Sequence, residues 1–416
     1  MKPYLVLDLG NQNIRGLVVH PTKDYSKIKI YTVFERPSDG LNKGAINDYG
    51  AFCSVLLETF DDINKLGFNP KQVVINIASP HSNFKITKTS GGVTRGDSQI
   101  TKNDISQLEE KIYETNSETT NKIIEHIIPR DFTVDGLSNI KDPIGMHGYR
   151  LEMEAAVIEI LNTHLQTLNK AFKELNKSFL IPPVFGPLAA SFGCLTKKQQ
   201  NVGTILIDLG AQNTSYIIYE DDKLIDTKIL HLGADSITHD IAICLKVPLE
   251  TAEKIKLTCG YALSSDISRK ENIDASKISK EIDYAINKRY LAEIIEARLE
   301  EIFSFINNEI KKSNVYNKLA GGVVLVGGGA KLPGMIDFVK KYLKLPAKIG
   351  YPNLEQIEAG EKNIDLIDDP SFVEAVGLAL FSLFSSVNKK SVEFIKSTPT
   401  SGLLNKIKKV FKIFLP

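Results

Sequence analysis

The sequence predicts an α/β protein of two related lobes, with a small α+β module inserted in the first lobe and an amphipathic helix at the C-terminal end. Three observations lead there. The stretch "LVLDLGNQNIRGLVV" from Leu5 returns as "ILIDLGAQNTSYIIY" from Ile205, so the same element heads each half of a 416-residue chain. A glycine-rich segment, "GGVVLVGGGAKLPGM" from Gly321 to Met335, runs from a buried strand into a helix start. The length itself exceeds what a single hydrophobic core organises.

Each copy of the repeated element is an apolar run, a polar turn with glycine and a second apolar run, which reads as a β-hairpin with buried strands. Gly10 and Gly210 let another group approach the backbone at the turn. Asp8 and Asp208 end the first strand of each pair, where a carboxylate holds a magnesium ion through water. The turns, Asn11-Gln12-Asn13 and Ala211-Gln212-Asn213, offer backbone N–H and amide groups that suit phosphate oxygens. Either hairpin alone reads equally as a surface turn. The pair points to an internal duplication that grips a metal-bound polyphosphate from both sides. Gly327, Gly328 and Gly329 permit close approach of a flat or charged ligand beside a helix N-terminus, or serve only a tight packing turn.

Composition sets the class. Hydrophobic residues make up 43% and charged residues 24%, as in ordinary globular proteins. Four cysteines without C-x-x-C spacing argue for a reducing compartment, against a disulfide framework and against a zinc site. The seven histidines are scattered, none at ligand spacing from another. "MKPYLVLDLG" enters a strand directly, with no apolar leader segment, which suggests a cytoplasmic protein. The longest mostly apolar segment, Ser371 to Val387, carries Glu374 and is short for a membrane span.

The inserted module reads as a strand pair in "NFKITKTSGGVTRGDSQIT" followed by a helix in "KNDISQLEEKIYETNSETTN", with Asp104 and Gln107 near its start. At the other end, residues 388–416 carry seven lysines and one glutamate, a charge of +6, so the remaining 387 residues sum to −5 against a total of +1. Pro399, Ser401 and Gly402 mark a linker. Beyond it, Leu403, Leu404, Ile407, Val410, Phe411 and Phe414 form an apolar stripe, and Lys406, Lys408, Lys409 and Lys412 cover the rest. Such a helix lies flat in an anionic membrane surface, each lysine adding about 1 kcal/mol. The competing reading docks it on the protein's own core. The asymmetric charge favours an anionic surface over nucleic acid as partner.

The two hairpins and the glycine turn together resemble the actin-like ATPase superfamily, whose duplicated, ribonuclease-H-like domains close over ATP. Four further segments narrow the resemblance to the FtsA family of bacterial cell-division proteins: "LNKGAINDYGAF" near Leu41, "IIPRDFTVDGLSNIKDPIGMHGYRLEMEA" from Ile127, "GADSITHDIAICL" from Gly233 and "DPSFVEAVGLAL" from Asp369. The match runs from about residue 4 to 386, and Lys141–Met146 is its most specific core. It implies an actin-like fold with an FtsA-type insert. The first lobe would be 1–81 and 161–197, the insert 82–160, and the second lobe 198–230 and 315–366 with its own subdomain at 231–314. A helix returning to the first lobe (367–387), a linker (388–402) and the amphipathic helix (403–416) complete the chain.

The resemblance also implies ATP and Mg2+ as cofactors, Glu253 and Lys256 facing the ribose, self-assembly into filaments and peripheral attachment to the cytoplasmic side of the membrane at the division site. FtsZ would dock its C-terminal peptide on residues 231–314, where Arg298 in "LAEIIEARLEEIFSFINNEI" is a candidate contact or simply solvated, and later division proteins would be recruited. The catalytic residues stay unassigned because the pattern breaks. The second hairpin, Asp208 to Ser215, lacks two glycines, a threonine and an aspartate usual in the family, and Asn11 stands for threonine or serine. "GPLAAS" carries Gly186 where the family has a glutamate near the magnesium and the attacking water. Gln212 or Asn213 remain candidates to orient that water. Turnover is expected to be slow at most. An actin-fold small-molecule kinase would need an acidic general base at a motif position. A pilus- or competence-type scaffold would lack the insert signature.

Overall fold

In the computed structural model, residues 2–78, 81–116, 121–274, 285–313 and 315–393 are described. The proposed membrane stripe, 403–416, lies outside them. The first lobe opens with β1 (Tyr4–Leu9), β2 (Asn13–Pro21) and β3 (Ile28–Pro37), an antiparallel meander. After α1 (Tyr49–Lys65), β4 (Gln72–Ile77) joins β1 in parallel, so the sheet runs β4-β1-β2-β3 with short strands at its edges. Tyr4 to Leu9 are buried on both faces, as a central strand covered by helices requires.

The insert follows: β5 (Asn83–Gly92), α2 (Lys102–Asn116), β6 (Lys122–Val134), β7 (Leu137–Ile140) and β8 (Arg150–Leu161), paired in the order β5-β8-β6-β7. Where a strand pair was expected, one ten-residue strand stands. Gly91 and Gly92, which look like a turn, pair with Leu151 and Arg150 instead. A side chain at Gly91 would meet Leu108 of α2 at 3.1 Å, so glycine there seats the helix on the sheet. The helix starts at Lys102, the first residue of the stretch expected to be helical. Thr101 caps it, its N–H and hydroxyl both donating to the Asp104 carboxylate, which sits in the first turn. The Lys141–Met146 segment closes the module: Asp142 accepts from Ile144 N, Ile100 N donates to Met146 O, and Gly145 N to Ile100 O. Lys141 itself reaches the second lobe, 2.7 Å from Asp222.

The chain returns through α3 (Asn162–Glu174) and α4 (Gly186–Cys194) and repeats the first topology. In the second lobe β9 (Thr204–Leu209), β10 (Thr214–Glu220) and β11 (Lys223–Leu230) form the meander. Then α5 (Ala234–Leu245), α6 (Leu249–Cys259) and α7 (Lys288–Lys312) build a subdomain. The lobe finishes with β12 (Gly322–Val326), α8 (Met335–Leu343) and β13 (Ala347–Ile349), giving the order β11-β10-β9-β12-β13. The duplication extends to register: Asp8 lies opposite Arg15 as Asp208 lies opposite Ser215, and β12 runs parallel to β9 as β4 does to β1.

One long helix, α9 (Val373–Glu393), ties the lobes together; it continues past residue 387, where the linker was expected to begin. It packs on α4 at backbone contact distance. A Cβ on Gly377 would fall 1.9 Å from Ala189 O, and one on Gly193 would fall 2.1 Å from Val373 O. Val376, Leu378, Leu380 and Phe381 of α9 are buried in a core shared with the first-lobe sheet, each worth about 1.5–3 kcal/mol of removed apolar surface. Ser382 adds a buried 2.6 Å hydrogen bond to Tyr4 of β1. None of the described helices is long and apolar enough to cross a membrane.

Candidate functional site

The β1–β2 and β9–β10 turns face one another across a cleft that is partly open to solvent. Asp8, Gly10, Asn11, Gln12 and Asn13 line one wall, Asp208, Gly210, Ala211 and Asn213 the other, with Gly327 and Gly328 beside them. The three elements that the sequence singled out therefore converge. The first turn is too tight for a side chain at its glycine, where a Cβ would stand 2.5 Å from Asn13 O, and the second leaves a close 3.0 Å between a Cβ on Gly210 and Asn213 O. Gly327 has φ +85° and would place a Cβ 2.1 Å from Asp208 Oδ1, whereas Gly328 faces open space.

Neighbouring segments clamp both turns. Gly44 N donates to Asn11 Oδ1 at 2.8 Å, and Ser38 N to Gln12 O at 2.9 Å. On the other side Ala234 N and Asp235 N, at the start of α5, donate to the carbonyls of Gly210 and Ala211. "LNKGAINDYGAF" and "GADSITHDIAICL" thus do the same work on opposite lobes. The side chain of Asn13 is committed to Glu35 at 2.7 Å. That of Asn213 lies 3.4 Å from His231 Nδ1, and the side-chain oxygen of Gln212 accepts from Lys43 N at 2.7 Å. Asn213 lines the cleft, whereas Gln212 does not. Gly329 packs on Leu209 rather than lining the cleft.

Three cleft residues escaped the sequence reading. Asn76, at the end of β4, is held by Leu9 N donating to its Oδ1 at 2.8 Å, which turns its amide nitrogen toward Asp8 Oδ1 (2.8 Å) and Glu374 Oε1 (2.6 Å). Glu374, in the first turn of α9, thereby joins Asp8 and Asp208 at one end of the cleft. Arg15 is the cation beside them, paired with Glu35 at 2.7 Å. Its buried Nε has no acceptor among the described residues. Burial pushes Asp8 up, Arg15 pulls it down and Asp208 adds repulsion. Asp208 is raised by burial and lowered by Arg15. Glu374 is raised well above the usual carboxylate range, by burial first and then by Asp8 and Asp208.

Three carboxyl groups thus crowd one guanidinium, poised to ionise when a cation arrives, and an orphaned donor sits in the same cleft. That donor set fits a cation carrying an anion with many oxygens. Among the described residues no group of three or more His, Cys, Asp or Glu could itself hold a metal ion. Carboxylates acting through water suit Mg2+, which dehydrates reluctantly.

Comparison with known proteins follows the same lines. A family model described as "Cell division protein FtsA" matches residues 205–377, and a model of the SHS2 domain inserted in FtsA matches 82–159. The cell division protein FtsA of Borreliella burgdorferi is 34% identical over 290 residues, covering 66% of this chain and 68% of that protein. The chain belongs to the FtsA family. FtsA of Bacillus subtilis is 29% identical over 384 residues, covering 91% of this chain and 83% of its own length. Among solved structures, the PilM-PilN type IV pilus biogenesis complex superimposes with a TM-score of 0.65 at 15% identity, over 91% of this chain and 98% of that one. That likeness shows the actin-like fold.

Three residues expected at sites on this FtsA-family chain, Glu253, Lys256 and Arg298, make other contacts in the structure. Lys256 is buried, donating to Thr238 Oγ1 at 2.7 Å and Ala234 O at 3.1 Å and pairing with Glu253 at 2.7 Å. It fastens α6 to α5 behind the second hairpin, and neither Glu253 nor Lys256 lines the cleft. Arg298 is held by both oxygens of Asp240, at 2.6 and 2.8 Å, and by Glu301. Its guanidinium is a link between α7 and α5 rather than an open cation. The four cysteines are free.

Proposed function

We propose that this chain binds ATP with Mg2+ between its lobes, self-assembles on the cytoplasmic face of the membrane at the division site, and tethers FtsZ there while recruiting later division proteins. One observation carries the reading: both Asp-Leu-Gly hairpins and the Gly327–Gly328 turn face a single cleft. The hairpins would take the phosphates from opposite sides, Gly328 would leave room for the adenosine, and Asp8 and Asp208 would hold Mg2+ through its water shell. Bound Mg2+ would neutralise the polyphosphate and polarise its terminal group. What the chain's own residues do is hold and orient: Asn76 fixes Asp8, and Arg15 keeps a free Nε for a phosphate oxygen. Lys256 and Glu253 would serve the ribose side indirectly, by fixing α5 against the second turn.

FtsZ's C-terminal peptide would dock on the subdomain of residues 231–314, which exposes Ile243, Leu257 and Phe305. Residues 403–416 would provide the membrane anchor, with Leu403, Leu404, Ile407, Val410, Phe411 and Phe414 inserted and the lysines toward the headgroups. One such helix binds weakly; assembly multiplies it, so filament formation and attachment would reinforce one another. Co-sedimentation with anionic liposomes tests this, comparing the full chain with a version ending at Thr400, each with and without ATP·Mg. Sedimentation of the full chain alone, increased by ATP·Mg, is expected. Equal behaviour of both versions would remove the anchor, and indifference to ATP would remove the nucleotide switch.

A further inference from the structure

The family glutamate expected at the start of α4 is replaced by Gly186, yet the space it would fill is occupied. A Cβ built on Gly186 would lie 2.7 Å from Glu374 Oε1, 3.4 Å from its carboxyl carbon and 3.6 Å from Oε2. The carboxylate of α9 therefore stands where a side chain from α4 would begin. Its arrival depends on the helix seam: Gly193 and Gly377 let the two helices touch backbone to backbone, which brings the first turn of α9 beside the first residue of α4. A helix start also favours an acid at this point.

Glu374 is held in place. Asn76 donates to its Oε1, and because Leu9 N takes the Asn76 oxygen, that amide has one orientation only. The same nitrogen donates to Asp8 Oδ1, so Asn76 sets the spacing of the two carboxylates. Oε2 has no hydrogen-bond donor among the described residues and belongs to a side chain that lines the cleft. A carboxylate in an apolar helix, delivered between two glycines and fixed by a committed amide, is a built feature rather than a stray surface acid.

We infer that Glu374 is a positioning residue of the cleft: it supplies from α9 the third carboxylate that accepts hydrogen bonds from the water shell of a divalent cation bound with nucleotide, in place of the acid missing at Gly186. The inference rests on the nucleotide reading above and adds a residue to it. Asp8 and Asp208 approach that shell from the two lobes, and Glu374 approaches it from the helix that joins them. Cation binding thereby pulls on the α4–α9 seam as well as on the hairpins.

The test compares nucleotide affinity with Mg2+ and with chelator, using a fluorescent ATP analogue, and binding of Mn2+ followed by electron paramagnetic resonance. Glu374→Gln keeps an oxygen for Asn76 and removes the charge. It is expected to cut the gain in affinity conferred by Mg2+ about tenfold, equivalent to about 1.4 kcal/mol, and to weaken Mn2+ binding, while binding in chelator holds or rises because one source of repulsion toward the phosphates is gone. The double variant Gly186→Glu with Glu374→Ala returns the acid to α4 and is expected to restore the Mg2+ gain, which a merely structural role for Glu374 would not do. Unfolding curves of both variants confirm that they fold. Full Mg2+ dependence in Glu374→Gln, with normal binding by the parent chain, overturns this inference and spares the nucleotide reading. Failure of the parent chain to bind nucleotide at all overturns both.

Discussion

Lys43 donates its backbone N–H to the side-chain oxygen of Gln212 at 2.7 Å, joining two segments 169 residues apart in the two lobes. The residue that breaks the family's glycine-rich second turn is therefore a cross-lobe latch. A single neutral hydrogen bond is worth about 0.5–1.5 kcal/mol, so Gln212→Ala should speed release of a bound ATP analogue by about 2- to 12-fold. Stopped-flow displacement measures it; an unchanged off-rate would mean the latch does not gate exit.

Gly327 and Gly328 are adjacent but face different constraints. Gly327→Ala must accept φ +85° and a Cβ 2.1 Å from Asp208 Oδ1. It should lose about 1–3 kcal/mol of stability and displace the Asp208 carboxylate. Gly328→Ala meets nothing within 4 Å, so its stability should stay within about 0.5 kcal/mol while nucleotide affinity falls because the methyl enters the cleft. Urea denaturation beside equilibrium binding separates the two. Equal destabilisation by both would contradict the geometry.

The lobes were legible because their elements are local. Asp-Leu-Gly with flanking apolar runs needs only a hairpin and a turn, and both copies form in matching register. Glu374 was visible as the one acid between Ser371 and Val387, but its destination depends on α4 and α9 meeting at Gly193 and Gly377, which no local pattern records. Arg298 looked available because Asp240, which holds it, lies 58 residues earlier. Gln212 looked free to orient water for the same reason: its partner lies in the other lobe. In the insert, two glycines imitated a turn where the sheet and α2 needed a flat surface.

The insert should also set part of the pH response, with two buried groups of opposite sign. Glu109 of α2 is 2% exposed, its Oε1 is unpartnered, and burial, helped by Glu110, pushes its carboxyl up to about 9. The folded state keeps that proton while the unfolded chain releases it, so this contribution is intact below about pH 4.5 and is lost as pH rises toward 9. His126 of β6 accepts from Phe185 N at 3.0 Å, and burial lowers it to about 3. There the unfolded chain takes up the proton first, so stability is intact above about pH 6.5 and falls as pH drops toward 3. Glu109→Gln should therefore stabilise the protein at pH 8 by on the order of 2 kcal/mol and change little at pH 4.5. His126→Gln, whose side-chain oxygen still accepts from Phe185, should narrow the loss between pH 6.5 and pH 5 by about 2 kcal/mol. Measuring each variant against the parent chain in urea at pH 5, 6.5 and 8 cancels the groups they share. Parallel pH profiles for parent and variant would show that the residue titrates alike in folded and unfolded chains, and that burial does not control it.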